Sequence, residues 1–251
     1  MDCDYERRFG GVARLYGETG LAALAGAHVC VVGIGGVGSW CAEALARTAV
    51  GRISLIDLDM VAESNTNRQL HALDGIYGKA KVEAMAERIR AINPRCEVRC
   101  IEDFVTADNL PQMLGQGFDV VIDAIDQARV KIAMIAWCKQ QKLPIVVAGA
   151  AGGQIDPTQI RIADLAQTVQ DPLLSKVRAS LRREHGFPRQ GKMGVSCVYS
   201  TEALRYPDKN ANCDTRAGPA GLNCAGFGSS ACVTSVFGLA AASHAIKLIT
   251  G

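Results

Sequence analysis

The stretch "HVCVVGIGGVGSW", residues 28–40, carries Gly33-x-Gly35-x-x-Gly38 directly after an apolar run. Such a turn suits phosphate. Its first glycine allows a tight turn, the second lets backbone approach the ligand, and the third permits close helix packing. The helix that follows offers N-terminal N–H groups and a positive dipole end to an anion. Asp57 closes the next apolar run, "RISLID", at the spacing of a ribose-binding carboxylate. With Gly36 inside the turn, these residues mark a nucleotide site. The glycines alone leave open a dinucleotide for hydride transfer or another phosphate ligand.

The residues after Asp57 narrow the chemistry. "DLDMVAESNTNRQLH" supplies Asp59, Asn65, Asn67, Arg68, Gln69 and His71, and "GKAKVE" adds Lys79 and Lys81. Arginine and lysine converging on a helix-bound nucleotide would neutralise a triphosphate and stabilise charge developing at phosphorus. A nicotinamide site needs no such cluster. The plainer roles are solvated helix charge for the lysines and a loop salt bridge for Arg68. Asp123 and Asp126 close "FDVVIDAID". Asp126 is a candidate magnesium ligand, since Mg²⁺ takes one or two carboxylates plus phosphate oxygens and water. Its alternative is a structural cap, and Asp123 is read as capping backbone groups in the same turn.

Apolar runs and helical periodicity alternate to position these groups. Strands are expected at residues 28–33, 52–59, 96–103, 118–126 and 143–149, with 159–165 pairing beside the last. Helices are expected through Trp40, Ala44, Leu45 and Thr48, over 78–93 until Pro94, and through Ile132, Ile135 and Trp137. Alternation of this kind predicts an α/β fold, a doubly wound, mostly parallel sheet. Asp171-Pro172 reads as an N-cap and N1 proline opening a further helix, and 206–223 as a long mobile loop. The expected organisation is one domain over 1–251, with a core at about 8–165 and a helical and loop elaboration over the rest.

With 49% apolar and 21% charged residues among 251, the chain is expected to be soluble and globular. A net charge of +2 is too small to declare a nucleic-acid binder, so any basic patch must be local. The charged start, "MDCDYERR", lacks a signal peptide's apolar core. The Ala-rich stretch 231–249 carries His244 and Lys247 and is read as a buried terminal helix, although peripheral membrane association through it stays open. A cytoplasmic location follows as an expectation, with the ten cysteines mostly reduced. No C-x-x-C pair occurs, so no structural zinc site is expected.

The set "GIGGVGS", "LIDLD", "NTNRQ", "GKAKVE", "DAID" and "AGAAGGQIDPTQI" resembles the ubiquitin-activating-like adenylyltransferase superfamily. The resemblance implies a Rossmann-like ATP site formed by Gly33, Gly35, Gly36, Gly38, Asp57, Asp59, Asn65, Arg68, Gln69, Lys81 and Asp126. In it Asp57 would bind the ribose, Arg68 and Lys81 the phosphates, and Asp126 the magnesium. Members activate a carboxylate by attack on the α-phosphorus of ATP, releasing pyrophosphate and leaving an acyl-adenylate. They are usually homodimers, and in some an N-terminal arginine reaches the partner's site. Arg8 and Arg14 are the local candidates.

Two branches compete. Members that activate a ubiquitin-like sulfur carrier usually hold zinc on two C-x-x-C pairs, which this chain lacks. "RRFGGVARLYGETGL", "GGQIDPTQI", "QDPL" and "STEALRYP" instead resemble the tRNA threonylcarbamoyladenosine dehydratases. That branch implies ATP-driven cyclisation of a threonylcarbamoyl group on tRNA. "KVRASLRREHGFPRQGK" then becomes a candidate RNA surface through Lys176, Arg178, Arg182, Arg183, Arg189 and Lys192. A solvated helix face is the alternative. Cys197 is read as a packing residue. Cys224, after the Gly-rich loop, is a candidate for covalent or redox-linked chemistry and for docking a sulfur-transfer partner. Retention of Arg68 and Lys81 argues against a non-catalytic scaffold.

Overall fold

The computed structural model describes residues 4–206 and 227–251. Helix α1 (Tyr5–Gly26) leads into β1 (His28–Val32), α2 (Gly38–Arg47), β2 (Arg52–Ile56), α3 (Lys81–Ile92) and β3 (Glu97–Ile101). Then come α4 (Leu110–Leu114), β4 (Val120–Asp123), α5 (Ala128–Gln141), β5 (Ile145–Ala148) and β6 (Ile160–Asp164). Helix α6 (Pro172–Glu184), β7 (Ser196–Ser200) and α7 (Ala231–Thr250) complete the order. The strands form one seven-stranded sheet in the order β3-β2-β1-β4-β5-β7-β6, parallel except at β6.

Both faces of the sheet are covered, so successive strand residues serve different layers. Val29 and Val31 pack with α2, α3 and α7, while Cys30 and Val32 pack with α4, α5 and α6. Helix α7 crosses α2 at Gly238, where a Cβ would stand 2.4 Å from Val37 O. Although α7 is long and apolar enough to span a membrane, it is seated as a core helix, with Phe237, Ala241 and Ala245 fully buried.

The sheet departs from expectation at one edge. β6 does not lie beside β5. β7 inserts between them, parallel to β5 and antiparallel to β6. Burial explains the order: Cys197, Val198, Tyr199 and Ser200 are buried, whereas β6 exposes Arg161 and Ile162 as an edge strand does. The sheet and its helical layer therefore draw on residues well beyond 165. Helices α1 and α4 are further additions; glycines at 10, 11 and 17 hide α1 in the sequence, and Gly17 (φ +75°) kinks it.

Strand ends also fall short of the apolar runs. β2 stops at Ile56 because Asp57 turns its carboxylate back, Oδ2 accepting from Ile34 N (2.6 Å) and Oδ1 from Asp59 N (2.9 Å). β4 stops at Asp123, so the rest of "DAID" is loop. β1 lies between β2 and β4, where the chain's crossovers change direction, and a ligand cleft belongs at that switch point.

Candidate active site

A cleft of about 510 Å³ opens at the carboxyl ends of β1, β2, β4 and β5. Its floor is the glycine turn. Gly33, at φ +87°, donates its N–H to Ile56 O (2.9 Å) and so joins the turn to β2. A Cβ on Gly38 would lie 1.8 Å from Gly33 O, so only glycine lets α2 start this close to β1. Val37 gives α2 no side-chain cap, which leaves its first turn for an anionic ligand. Gly35 and Gly36 line the cleft above it.

Asp57 lines the same wall, its two oxygens bracing the turn and the loop after β2. Burial raises its pKa, outweighing Lys81 and the two backbone donors, which act in the opposite direction. Lys81 is buried, with Nζ 2.8 Å from the exposed Asp59 carboxylate. The sequence alternatives for the two lysines thus separate. Lys79 pairs with Glu87 on the helix surface, and Lys81 faces the cleft.

Arg68 is half-buried and lines the cleft. Its backbone is held by Trp40, whose Nε1 donates to Arg68 O (3.0 Å). Nη1 donates to Ser64 O (2.8 Å) and to Asn67 Oδ1 (2.9 Å). Nε and Nη2 have no protein acceptor, and no carboxylate lies within 4.0 Å of the guanidinium, among the described residues. Among the described residues, two neutral restraints on one nitrogen stand in place of the loop salt bridge, and a guanidinium held this way can still offer paired donors to an anion. Gln69 lines the cleft nearby, and its buried Oε1 has no partner among the described residues. Asn65 is used locally: its Oδ1 accepts from Ala62 N (3.1 Å), and it is not a lining residue.

His71, at the end of that loop, is 3% exposed, and neither ring nitrogen has a partner among the described residues. Burial, with Lys81 and Arg88 nearby, depresses its pKa from 6.5 to about 4. The unfolded chain therefore takes this proton first. Stability is complete above pH 6.5 and declines as the pH falls toward 4. Between pH 7 and pH 5 the loss from this group is about 2 kcal/mol. Urea unfolding of His71→Leu should show a pH slope flatter by that amount; an unchanged slope would place the titration elsewhere.

Across the cleft, Asp126 lines the wall beyond β4. Asp123 is fully buried, its Oδ1 accepting from Ile125 N (3.2 Å) as a cap and lying 2.8 Å from Lys131 Nζ. Lys131 has no exposure either. Sequence reasoning missed it, although the signal was present. Lys131 shares the helical spacing of Met134, Ile135 and Cys138, a lysine on an apolar face. Asp171 joins the same region, capping α6 through Leu174 N (2.9 Å) and accepting from Ala150 N (2.9 Å).

The remaining candidates divide. Lys176, Arg189 and Lys192 are exposed. Arg178 is used inside the chain, donating to Leu165 O, Thr168 O and Thr168 Oγ1, because it locks α6 onto the turn before it. Arg182 donates to Pro188 O, and Arg183 pairs with Glu184. Cys197 is fully buried, and burial pushes its thiol pKa up, as packing alone requires. Cys224, and the 206–223 loop beyond Tyr206, lie outside the described residues. Arg8 caps the end of α3 through Ala91 O and Ile92 O, whereas Arg14 is exposed beside Leu15 and Tyr16. Phe227, Ser229 and Thr234 close the cleft from the C-terminal side; nothing in their types had marked them.

No group of three or more His, Cys, Asp or Glu side chains converges as a metal cage among the described residues. A magnesium ion needs no such cage, because phosphate oxygens and water supply most of its ligands. Asp126 on the cleft wall fits that limited demand.

Residues 5–251 match the ThiF family model. The tRNA threonylcarbamoyladenosine dehydratase of Escherichia coli is 56% identical over 250 residues, covering 97% of this chain and 93% of that protein. Its namesake from Haemophilus influenzae is 48% identical over 246 residues, with the same coverage. The crystal structure of the E. coli enzyme in complex with ATP matches with a TM-score of 0.89 at 53% identity, covering 99% of this chain and 96% of that one. A molybdopterin-synthase adenylyltransferase of H. influenzae is more distant, 28% identical over 74% of this chain. The chain belongs to the ThiF family, in the branch of the tRNA threonylcarbamoyladenosine dehydratases.

Proposed function

We propose that this protein binds ATP in the cleft and uses it to cyclise the threonylcarbamoyl group of a modified tRNA adenosine. The observation that carries the reading is Arg68, whose Nε and Nη2 face no protein acceptor among the described residues, beside a glycine turn suited to phosphate. Relatives of high identity carry this activity in their names, and one has been crystallised with ATP.

The threonyl carboxylate attacks the α-phosphorus, forming a C–O–P link as pyrophosphate leaves with the electron pair of the broken P–O bond. Arg68 and Lys81 hold the phosphates and stabilise the charge that builds there. Asp59 fixes the Lys81 ammonium, and Asp57 keeps the turn closed under the nucleotide. A neighbouring atom of the same side chain then attacks the activated carbonyl, and AMP departs. The ring closes with net loss of water. That step is intramolecular, so positioning supplies much of its rate. When bound at Asp126, magnesium would neutralise phosphate charge. We place the enzyme in the cytoplasm as a homodimer, with Arg14 the arginine available to a partner subunit. Lys176, Arg189 and Lys192 are the exposed RNA contacts, and a sulfur-transfer partner near Cys224 remains a separate expectation.

Nucleoside mass spectrometry on tRNA incubated with ATP tests this. Wild type should lower the mass of the modified nucleoside by one water, and AMP release should require the modification. Lys81→Ala and Asp126→Ala should both abolish most of the conversion. AMP release that is equal with unmodified tRNA, or conversion unchanged in both variants, would sink the proposal. An adenylate isolated on a sulfur-carrier C-terminus would favour the distant adenylyltransferase activity instead.

A further inference from the structure

The C-terminal wall of the cleft is held by contacts within the chain itself. Gly153, at φ +74°, donates its N–H to Gly228 O (2.8 Å) and accepts at its carbonyl from Arg205 N (2.8 Å). One residue thus grips the chain at both positions 205 and 228. The rings of Tyr206 and Phe227 meet beside it, centroids 5.2 Å apart. A Cβ on Gly153 would stand 2.9 Å from Phe227 Cδ1 and 3.2 Å from Arg205 O, so at this positive φ any other residue is strained and must push the wall aside. Farther along the same wall, Ser229 O accepts from Asn67 Nδ2 (2.9 Å). Asn67 Oδ1 in turn accepts from Arg68 Nη1 (2.9 Å).

Both ends of the Asn67 amide are therefore assigned. A flipped amide would set NH₂ against a guanidinium and oxygen against a carbonyl. We propose that Asn67 is a positioning residue coupling the Arg68 guanidinium to the wall 227–229, and that Gly153 anchors this wall, so that the grip of Arg68 on phosphate depends on how the wall is seated. The inference rests on the reading of Arg68 as a phosphate ligand. Its physical basis is restraint. Arg68 has four flexible side-chain bonds and only two fixed acceptors, both on Nη1, among the described residues. Removing Asn67 leaves Ser64 O alone, and the guanidinium must then be ordered by the ligand.

Calorimetry of ATP binding to wild type, Arg68→Ala, Asn67→Ala, Gly153→Ala and the Arg68→Ala/Asn67→Ala double variant tests the coupling. Asn67→Ala should weaken ATP binding roughly tenfold and leave the melting temperature near that of wild type. In the Arg68→Ala background the same substitution should change affinity no further, since its effect passes through Arg68. A purely structural Asn67 would weaken binding equally in both backgrounds, and that result overturns the coupling. Full ATP affinity in Asn67→Ala overturns it as well. Full ATP affinity in Arg68→Ala overturns the phosphate reading itself, and the coupling with it. Gly153→Ala should behave as Asn67→Ala does; if it fails to fold, the Asn67 cycle decides alone.

Discussion

Lys131→Met lowers the unfolding free energy by about 3–5 kcal/mol, the range for stripping one partner from a buried ion pair. The expected loss is this large because neither partner can reach water. Both side chains are 0% exposed, and Nζ lies 2.8 Å from Asp123 Oδ1. Burial raises the Asp123 pKa, and Lys131 acts in the opposite direction. Without the lysine, the carboxyl must either stay charged in an apolar layer or take up a proton. Asp123 Oδ2 already has no partner among the described residues, and the neutral Ile125 N–H at Oδ1 carries no charge to compensate. Equilibrium urea unfolding measures the loss directly. The Asp123→Asn/Lys131→Met double variant should recover much of it, because removing both charges avoids the stranded carboxylate. A single variant as stable as wild type would mean that the pair is neutral in the folded protein. The substitution also reaches the cleft, since Asp123 ends β4 immediately before Ala124, Ile125 and Asp126, all of which line it.

Arg68→Ala cuts the rate of adenylation by about 10²–10³, the range for removing a donor aimed at transition-state charge. The fold should survive, because Arg68 contributes its carbonyl, which the substitution keeps, to Trp40 and Thr234, and among the described residues its side chain bonds only Ser64 and Asn67. Single-turnover AMP formation with modified tRNA, read beside thermal unfolding, separates these outcomes. A rate within threefold of wild type would show that the guanidinium does not face the reacting phosphate. Arg68→Lys should recover little, since an ammonium cannot present the planar pair of donors.

Much of this site was legible because it is local. Gly33, Gly35 and Gly38 dictate a turn whatever surrounds them. Asp57 follows a strand that the apolar run already marked, and the spacing of Asp171 and Pro172 fixed the start of α6. Arg68 and Lys81 were recognisable by type, though not by environment. Residue type alone could not separate Lys79 from Lys81, two residues apart; the resemblance pointed to Lys81, and in the fold Lys79 pairs with Glu87 while Lys81 lies under Asp59. Arg178 is tied into the chain through Nη1 for the same reason. Its charge is visible in the chain, but the carbonyls of Leu165 and Thr168 that accept its protons depend on how α6 packs.

Periodicity and short-range chemistry determined the doubly wound sheet, the nucleotide cleft and the basic residues at its mouth. Those features follow from which side chains avoid water and which backbones accept tight turns, and both act over a few residues. The tertiary structure alone decided the insertion of β7 between β5 and β6, the buried Asp123–Lys131 pair, and the seating of Phe227 and Ser229 against residues 67 and 153. The inserted strand and the C-terminal wall join positions far apart in sequence. The ion pair spans only eight residues and exists because packing excludes water from both of its partners at once. "HVCVVGIGGVGSW" located the cleft, and the contacts that arrive from the far end of the chain set how Arg68 is held above it.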